Sequence, residues 1–243
     1  MDATLTVVLY SSLAAATAAL GVLPLKSGRK PPLRMIGWAN ALASGLMMGV
    51  AYALISSGLD SGAPAAGVGA VLGIGFVYLT HRATGTLELE LNRLDDPRPE
   101  YGYQVILLNA LHAAHEGIAI GVAMSMSLSF GILMALALAI HNIPEATILG
   151  AVVMNRGLRL RNAALLAVAA NVNQILLAVV TFALVSAAPS LLPWALGFAV
   201  GALLYLVLVE LLPESYREAG HTSIALVTVV AMGMVVLLRD RAG

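Results

Sequence analysis

From Gln104 to Met154 the chain reads QVILLNALHAAHEGIAIGVAMSMSLSFGILMALALAIHNIPEATILGAVVM. These are two apolar segments, 104–126 and 129–154, separated by Ser127 and Leu128. Each exceeds the ~20 residues that an α-helix needs to cross a bilayer. Neither alternates with a period of two, which argues against strands. A connection this short makes the two helices antiparallel neighbours. Near its middle, each segment carries one His and one Glu four residues apart: His112 and Glu116, then His141 and Glu145. Ionisable side chains inside a span are costly and mark function by default. A spacing of four puts both members of a pair on one helix face. Two imidazoles and two carboxylates can therefore converge at one depth.

The rest of the chain fits the same class. Of its 243 residues 60% are hydrophobic and 11% charged, against about 25% charged in soluble domains. Its net charge is zero, which gives no case for nucleic acid, and it has no cysteine, which excludes disulfides, thiolate metal sites and cysteine nucleophiles. The N-terminus lacks a basic n-region and a cleavage signal, so its first apolar run reads as a retained helix. Further candidate spans are 4–23, 35–55, 64–80, 163–185, 191–212 and 223–238. Pro31, Pro32, Gly62, Pro64, Pro189 and Pro193 punctuate the connections. The expectation is an all-α integral membrane protein of eight transmembrane helices, a single domain over 1–243, with the fourth and fifth helices as a central metal-binding pair.

Basic residues test that count, because Lys and Arg gather on cytoplasmic loops. Lys26, Arg29, Lys30 and Arg34 fall between spans one and two, Arg82, Arg93 and Arg98 between three and four, Arg156, Arg159 and Arg161 between five and six, and Arg217 between seven and eight. Only Arg239 and Arg241 fall on the other side, so eleven of thirteen obey the alternation. The expectation is a multi-pass protein of the inner (plasma) membrane with both termini outside. The polar segment 82–100, with Glu88, Glu90, Asp95 and Asp96, is then a cytoplasmic loop, either a solvated linker or a metal-sensing element that begins next to His81.

The paired His/Glu set suits a borderline divalent cation. Zn²⁺ accepts imidazole nitrogen and carboxylate oxygen in tetrahedral geometry, and Cd²⁺, Fe²⁺, Mn²⁺ and Co²⁺ compete on ligand type. Two glutamates balance one 2+ ion. His115, three residues after His112, is either a fifth ligand or a helix contact. Pro144 has no amide proton for the carbonyl of Ile140, so a kink is expected beside the site. Asn171, Asn173 and Gln174 inside the sixth span either face the site or bond between helices. Glu210 and Glu214 flank Pro213 and either receive an exiting cation or are interfacial acids. Met47 and Met48 either line an entrance or pack.

The motif His141-Asn142-Ile143-Pro144-Glu145-Ala146 resembles the fifth-helix His-Asn-x-Pro-Glu-Gly of the ZIP (Zrt/Irt-like) divalent metal transporters, bacterial type, departing at the last position. His112-Ala113-Ala114-His115-Glu116-Gly117 is similar to their fourth-helix motif, with Ala113 for Asn and His115 for Pro. Eight spans, outside termini and the long polar segment agree with that family too. The resemblance implies a metal pathway among helices two, four, five and seven, and often a homodimer. It implies divalent metal, zinc foremost, as transported ion rather than cofactor, moved from outside into the cytoplasm. Some bacterial members hold two ions. Here Ala113 offers no ligand, and Gln174, by its spacing from Glu145, stands where those members have a sixth-helix Glu. One bound ion is therefore expected, on His112, Glu116, His141 and Glu145, with Asn142 and Gln174 peripheral.

An intramembrane zinc-dependent hydrolase is the competing class. It needs metal ligands, an open coordination position and a general base. The chain has no His-Glu-x-x-His and no Gly-x-Ser-x-Gly, and Ser125, Ser127 and Ser129 have no adjacent base. The expectation is that the protein is not an enzyme.

Overall fold

Among the described residues every regular element is a helix, and seven helices are long and apolar enough to cross a membrane. The computed structural model describes residues 2–28, 31–87, 89, 93–94 and 96–242, the last three without side chains. Arg29, Lys30, Glu88, Glu90, Asp95 and the side chain of Arg241 lie outside the described residues.

The expected eight spans meet seven helices because the second and third lie in one, Leu33–Thr84, of 52 residues. Straight, it would be about 78 Å long, far more than the ~30 Å of hydrocarbon. It breaks at Gly62, whose φ of 157° and ψ of 82° are non-helical and are tolerated by a residue without Cβ. The chain doubles back there: a Cβ on Gly58 would lie 3.3 Å from the Cβ of Ala66. Pro64 starts the returning leg, where its missing N–H is harmless. The legs 33–61 and 63–84 are called α2 and α3. The other helices are α1 (Ala3–Ser27), α4 (Pro99–Met126), α5 (Leu128–Asn155), α6 (Leu160–Ala187), α7 (Pro189–Ala219) and α8 (His221–Arg239).

The helices α4 and α5 form a hairpin about Ser127, whose hydroxyl accepts from the Phe130 N–H. Around it, α1 packs on α5 and α6, α6 on α4, α7 on both legs of the broken helix, and α8 on α2. Outward side chains are apolar, among them Val71, Leu226, Val229 and Leu237, each about two-thirds exposed. In a water-soluble protein such a surface would be a liability; facing lipid, it is what the chain's composition requires.

Two buried apolar clusters flank the centre of the hairpin. One takes Ile120 of α4 and Met134 and Leu138 of α5, with Met47 of α2 and Leu203 of α7. The other takes Val105 and Leu108 of α4 and Leu149 and Val152 of α5, with Val22 and Leu25 of α1. Residues 112–116 and 141–145 fall between the two clusters on both helices, so the polar residues share one depth, closed above and below by apolar packing.

At the far end of α5, the Arg156 guanidinium donates to the carbonyls of Asp96 and Arg98, and Asn155 donates to the carbonyl of Leu94. Arg98 in turn donates to the Asp96 carboxylate and holds its pKa down at about 2. The described part of the polar segment is thus tied to the basic end of the hairpin. Its first residues, 82–84, are still helical.

Candidate metal centre

Helices α4 and α5 bring three donor groups together: Glu116, His141 and Glu145, all buried, with one ligand atom from each within 4.8 Å of the others. His141 Nε2 lies 2.8 Å from Glu116 Oε1 and 3.3 Å from Glu145 Oε1. His141 Nε2 and Glu116 Oε1 are close without hydrogen-bond alignment. Two atoms bound tetrahedrally to one zinc at ~2.0–2.1 Å stand about 3.3 Å apart, so this spacing suits a shared cation.

His112 joins through Glu145. Its Nδ1 is 2.6 Å from Glu145 Oε1, the oxygen that also faces His141. Its Nε2 is 3.0 Å from Glu210 Oε2. His112 thereby belongs to a second group with His81 and Glu210. His81 Nδ1 is 3.2 Å from Glu210 Oε1, and the His81 ring stacks on that of His112 with centroids 6.0 Å apart. The local structure that delivers Glu210 is a π-helical turn, Leu206–Leu211. Pro213 has no N–H for the carbonyl of Val209 and its ring crowds that carbonyl; wide turns of this kind recur at functional sites.

Asn142 and Gln174 stand behind the group. Gln174 Nε2 donates to Glu116 Oε2 over 3.0 Å, and its Oε1 accepts from Asn142 Nδ2 over 3.1 Å. Asn142 Nδ2 also donates to the Ala14 carbonyl over 2.9 Å. Gln174 reaches Glu116 because α6 breaks at Asn171 and because Gly117 has no side chain: a Cβ there would sit 2.4 Å from the Gln174 carbonyl oxygen. Small residues of this kind let membrane helices approach closely.

Of the residues singled out from sequence, Glu116, His141 and Glu145 are clustered, His112 bridges to a second group, and Asn142 and Gln174 support Glu116. His115 is buried with neither ring nitrogen partnered among the described residues, and it packs edge-on against Phe76. Met47 is packed in the core. Asn171 bonds within its helix, to the Ala167 carbonyl, and Asn173 to the Ala110 carbonyl. The helix α5 runs through Pro144 without interruption.

Sequence reasoning missed Asn109, whose Nδ2 donates to Glu145 Oε2 over 3.0 Å. It placed His81 at a loop start and read Glu210 as either a receiver of the exiting cation or an interfacial acid; the structure makes both neighbours of His112. A third carboxylate, 15% exposed, thus stands beside His112 and His81.

Residues 93–238 match the ZIP zinc transporter family. Zinc transporter ZIPB of Bordetella bronchiseptica is 30% identical over 246 aligned positions, covering 93% of this chain and 78% of its own length. A candidate zinc transporter of Arabidopsis thaliana is 31% identical over 225 residues, 90% of this chain. A zinc transporter ZIP13 homolog of Drosophila melanogaster is 28% identical over 129 residues, 52% of this chain. The chain spans 36% of the length of each of the last two relatives.

Proposed function

Because this chain belongs to the ZIP zinc transporter family, we propose that it carries divalent metal ions, zinc foremost, across a membrane through its buried His/Glu centre. The convergence of Glu116, His141 and Glu145 between helices long enough to span a bilayer carries this reading. Such a set is costly in lipid unless a cation compensates it. Glu116, His141 and Glu145 bind the ion, and His112 holds Glu145 and completes the donor set. Asn142 and Gln174 orient Glu116. Cd²⁺, Fe²⁺, Mn²⁺ and Co²⁺ compete for the same donors.

The legs 33–61 and 63–84 cross separately, which makes eight crossings with α4 and α5 as the central pair. The whole of 1–243 then forms one membrane domain, with 82–100 on the cytoplasmic side. The loops rich in Lys and Arg face the cytoplasm, both termini lie outside, and metal moves inward across the plasma (inner) membrane. His81 and Glu210, towards the basic end, receive the ion after His112. A homodimer is the expected assembly.

The family and its named relatives indicate a transporter rather than an enzyme. Zinc uptake into proteoliposomes, run against a panel of the competing cations, tests the proposal. Uptake above that of protein-free vesicles, suppressed most by Cd²⁺, is expected; vesicles that take up no metal would reject it.

A further inference from the structure

One cavity beside the His/Glu centre is lined in part by two buried asparagines that carry unpartnered polar atoms among the described residues. It lies between α2, α4, α5 and α7 and is lined by Asn40, Asn109, His112 and Glu145 among leucines, an isoleucine and a valine. Asn109 spends its amide nitrogen on Glu145 Oε2, so its carbonyl oxygen is left over, buried and without a partner among the described residues. Asn40 is 1% exposed, and neither its oxygen nor its nitrogen has a partner among the described residues. Burying an amide unpaired is costly. Two buried amides with unpartnered oxygens line one cavity beside a carboxylate and an imidazole, which points to a polar occupant.

The space open to the centre of a water-sized particle is about 20 Å³, above the ~10–15 Å³ that one water needs. It therefore admits a single water or a bare cation. Asn109 stands one turn before His112, towards the end of α4 that Arg156 and Asp96 close, so the cavity lies on the basic side of the centre.

We infer that Asn40 and Asn109 form a transit site for a partly dehydrated divalent cation, reached directly from Glu145. This inference rests on the transport reading above. An ion on Glu116, His141 and Glu145 is held by charge and nitrogen. At the amides it keeps one edge on Glu145 or His112 and exchanges the remaining donors for neutral carbonyl oxygens. Such oxygens suit hard cations and hold zinc less firmly than imidazole does. Conduction requires binding firm enough to enter and weak enough to leave, spread over adjacent sites.

Asn40→Leu is the test, because Asn40 touches none of the centre's donors in a hydrogen bond or ion pair among the described residues, and leucine matches its bulk. In proteoliposomes, zinc uptake at saturating zinc should fall about tenfold, as for loss of one ligand worth a charged hydrogen bond. Calorimetric zinc affinity of the purified protein should stay within about threefold of wild type, since the first site is intact. Asn40→Asp, which keeps the oxygen, should retain most of the rate. Wild-type uptake by Asn40→Leu, or an equal fall in rate and affinity, would overturn the inference. A readout independent of transport is the anomalous signal of Mn²⁺ soaked at high concentration: a weak peak between the two amide oxygens in wild type and none in Asn40→Leu. No peak in wild type would reject the transit site even where vesicles take up zinc. A peak from a protein that moves no metal would keep the site and reject only the transport reading.

Discussion

Replacing Gln174 by leucine separates holding the ion from holding its ligand. Gln174 is fully buried, and among the described residues its one bond to the centre is Nε2 to Glu116 Oε2 at 3.0 Å. A hydrogen bond to a charged group contributes about 1.5–3 kcal/mol. At ~1.4 kcal/mol per decade, losing it weakens metal binding about 10- to 100-fold. Partners behind metal ligands elsewhere cost a similar 10- to 100-fold in affinity. The loss of the Asn142 bond adds little, because Asn142 Nδ2 keeps the Ala14 carbonyl at 2.9 Å. Leucine fills nearly the same volume, so no large cavity confuses the result. The assay is calorimetric titration of Zn²⁺ in detergent at fixed pH. The control is Asn173→Leu, on the exposed face of the same helix, whose amide donates to the Ala110 carbonyl over 3.3 Å. It should stay within about twofold, as for ordinary surface substitutions. If Gln174→Leu binds zinc within twofold of wild type, or if both variants lose affinity alike, Glu116 does not depend on Gln174.

Glu116→Ala and Glu145→Ala should each abolish metal uptake while the helix content and elution volume of the protein stay unchanged, because each removes half of the charge that offsets a buried 2+ ion; wild-type uptake by either purified variant would dismiss the assigned residues. Single cysteines at Ser61 and Arg159 should react with an impermeant thiol reagent from opposite sides of the membrane, and labelling from one side would mean that α2 and α3 do not cross separately. Gly117→Val should lower stability by about 1–3 kcal/mol and zinc affinity together, because its Cβ would meet the Gln174 carbonyl at 2.4 Å; a variant that keeps full affinity would show that α6 can move without cost to Glu116.

That 104–154 is helical was legible, because two signals coincide in it. Apolar length places 104–126 and 129–154 in a membrane, and the four-residue spacing orients His112, Glu116, His141 and Glu145. The start of α4, Pro99, was read five residues late, since hydropathy reports the lipid layer and not the helix, and Pro-Glu-Tyr-Gly-Tyr extends beyond it. The turn at Gly62 was read from its glycine and proline. That the helical bonding would resume at once was not legible, because it depends on one glycine torsion. The links of His112 to Glu210, 98 residues away, and of Glu210 to His81 need tertiary structure, although His81 and Glu210 each stood out singly as an ionisable residue at the end of a span. Asn109 and Asn40 gave less signal still, since an asparagine in a membrane helix has many interhelical uses. A rule that any amide three residues from an intramembrane ligand be checked for contact with the opposite carboxylate would have found Asn109.

The central claim is that Glu116, His141 and Glu145 hold one divalent cation between α4 and α5. Anomalous diffraction at the zinc edge from zinc-loaded protein tests it most directly. The account predicts one dominant peak about 2.0–2.2 Å from Glu116 Oε1, His141 Nε2 and Glu145 Oε1. A dominant peak elsewhere, or density at that point that does not change across the edge, would contradict it.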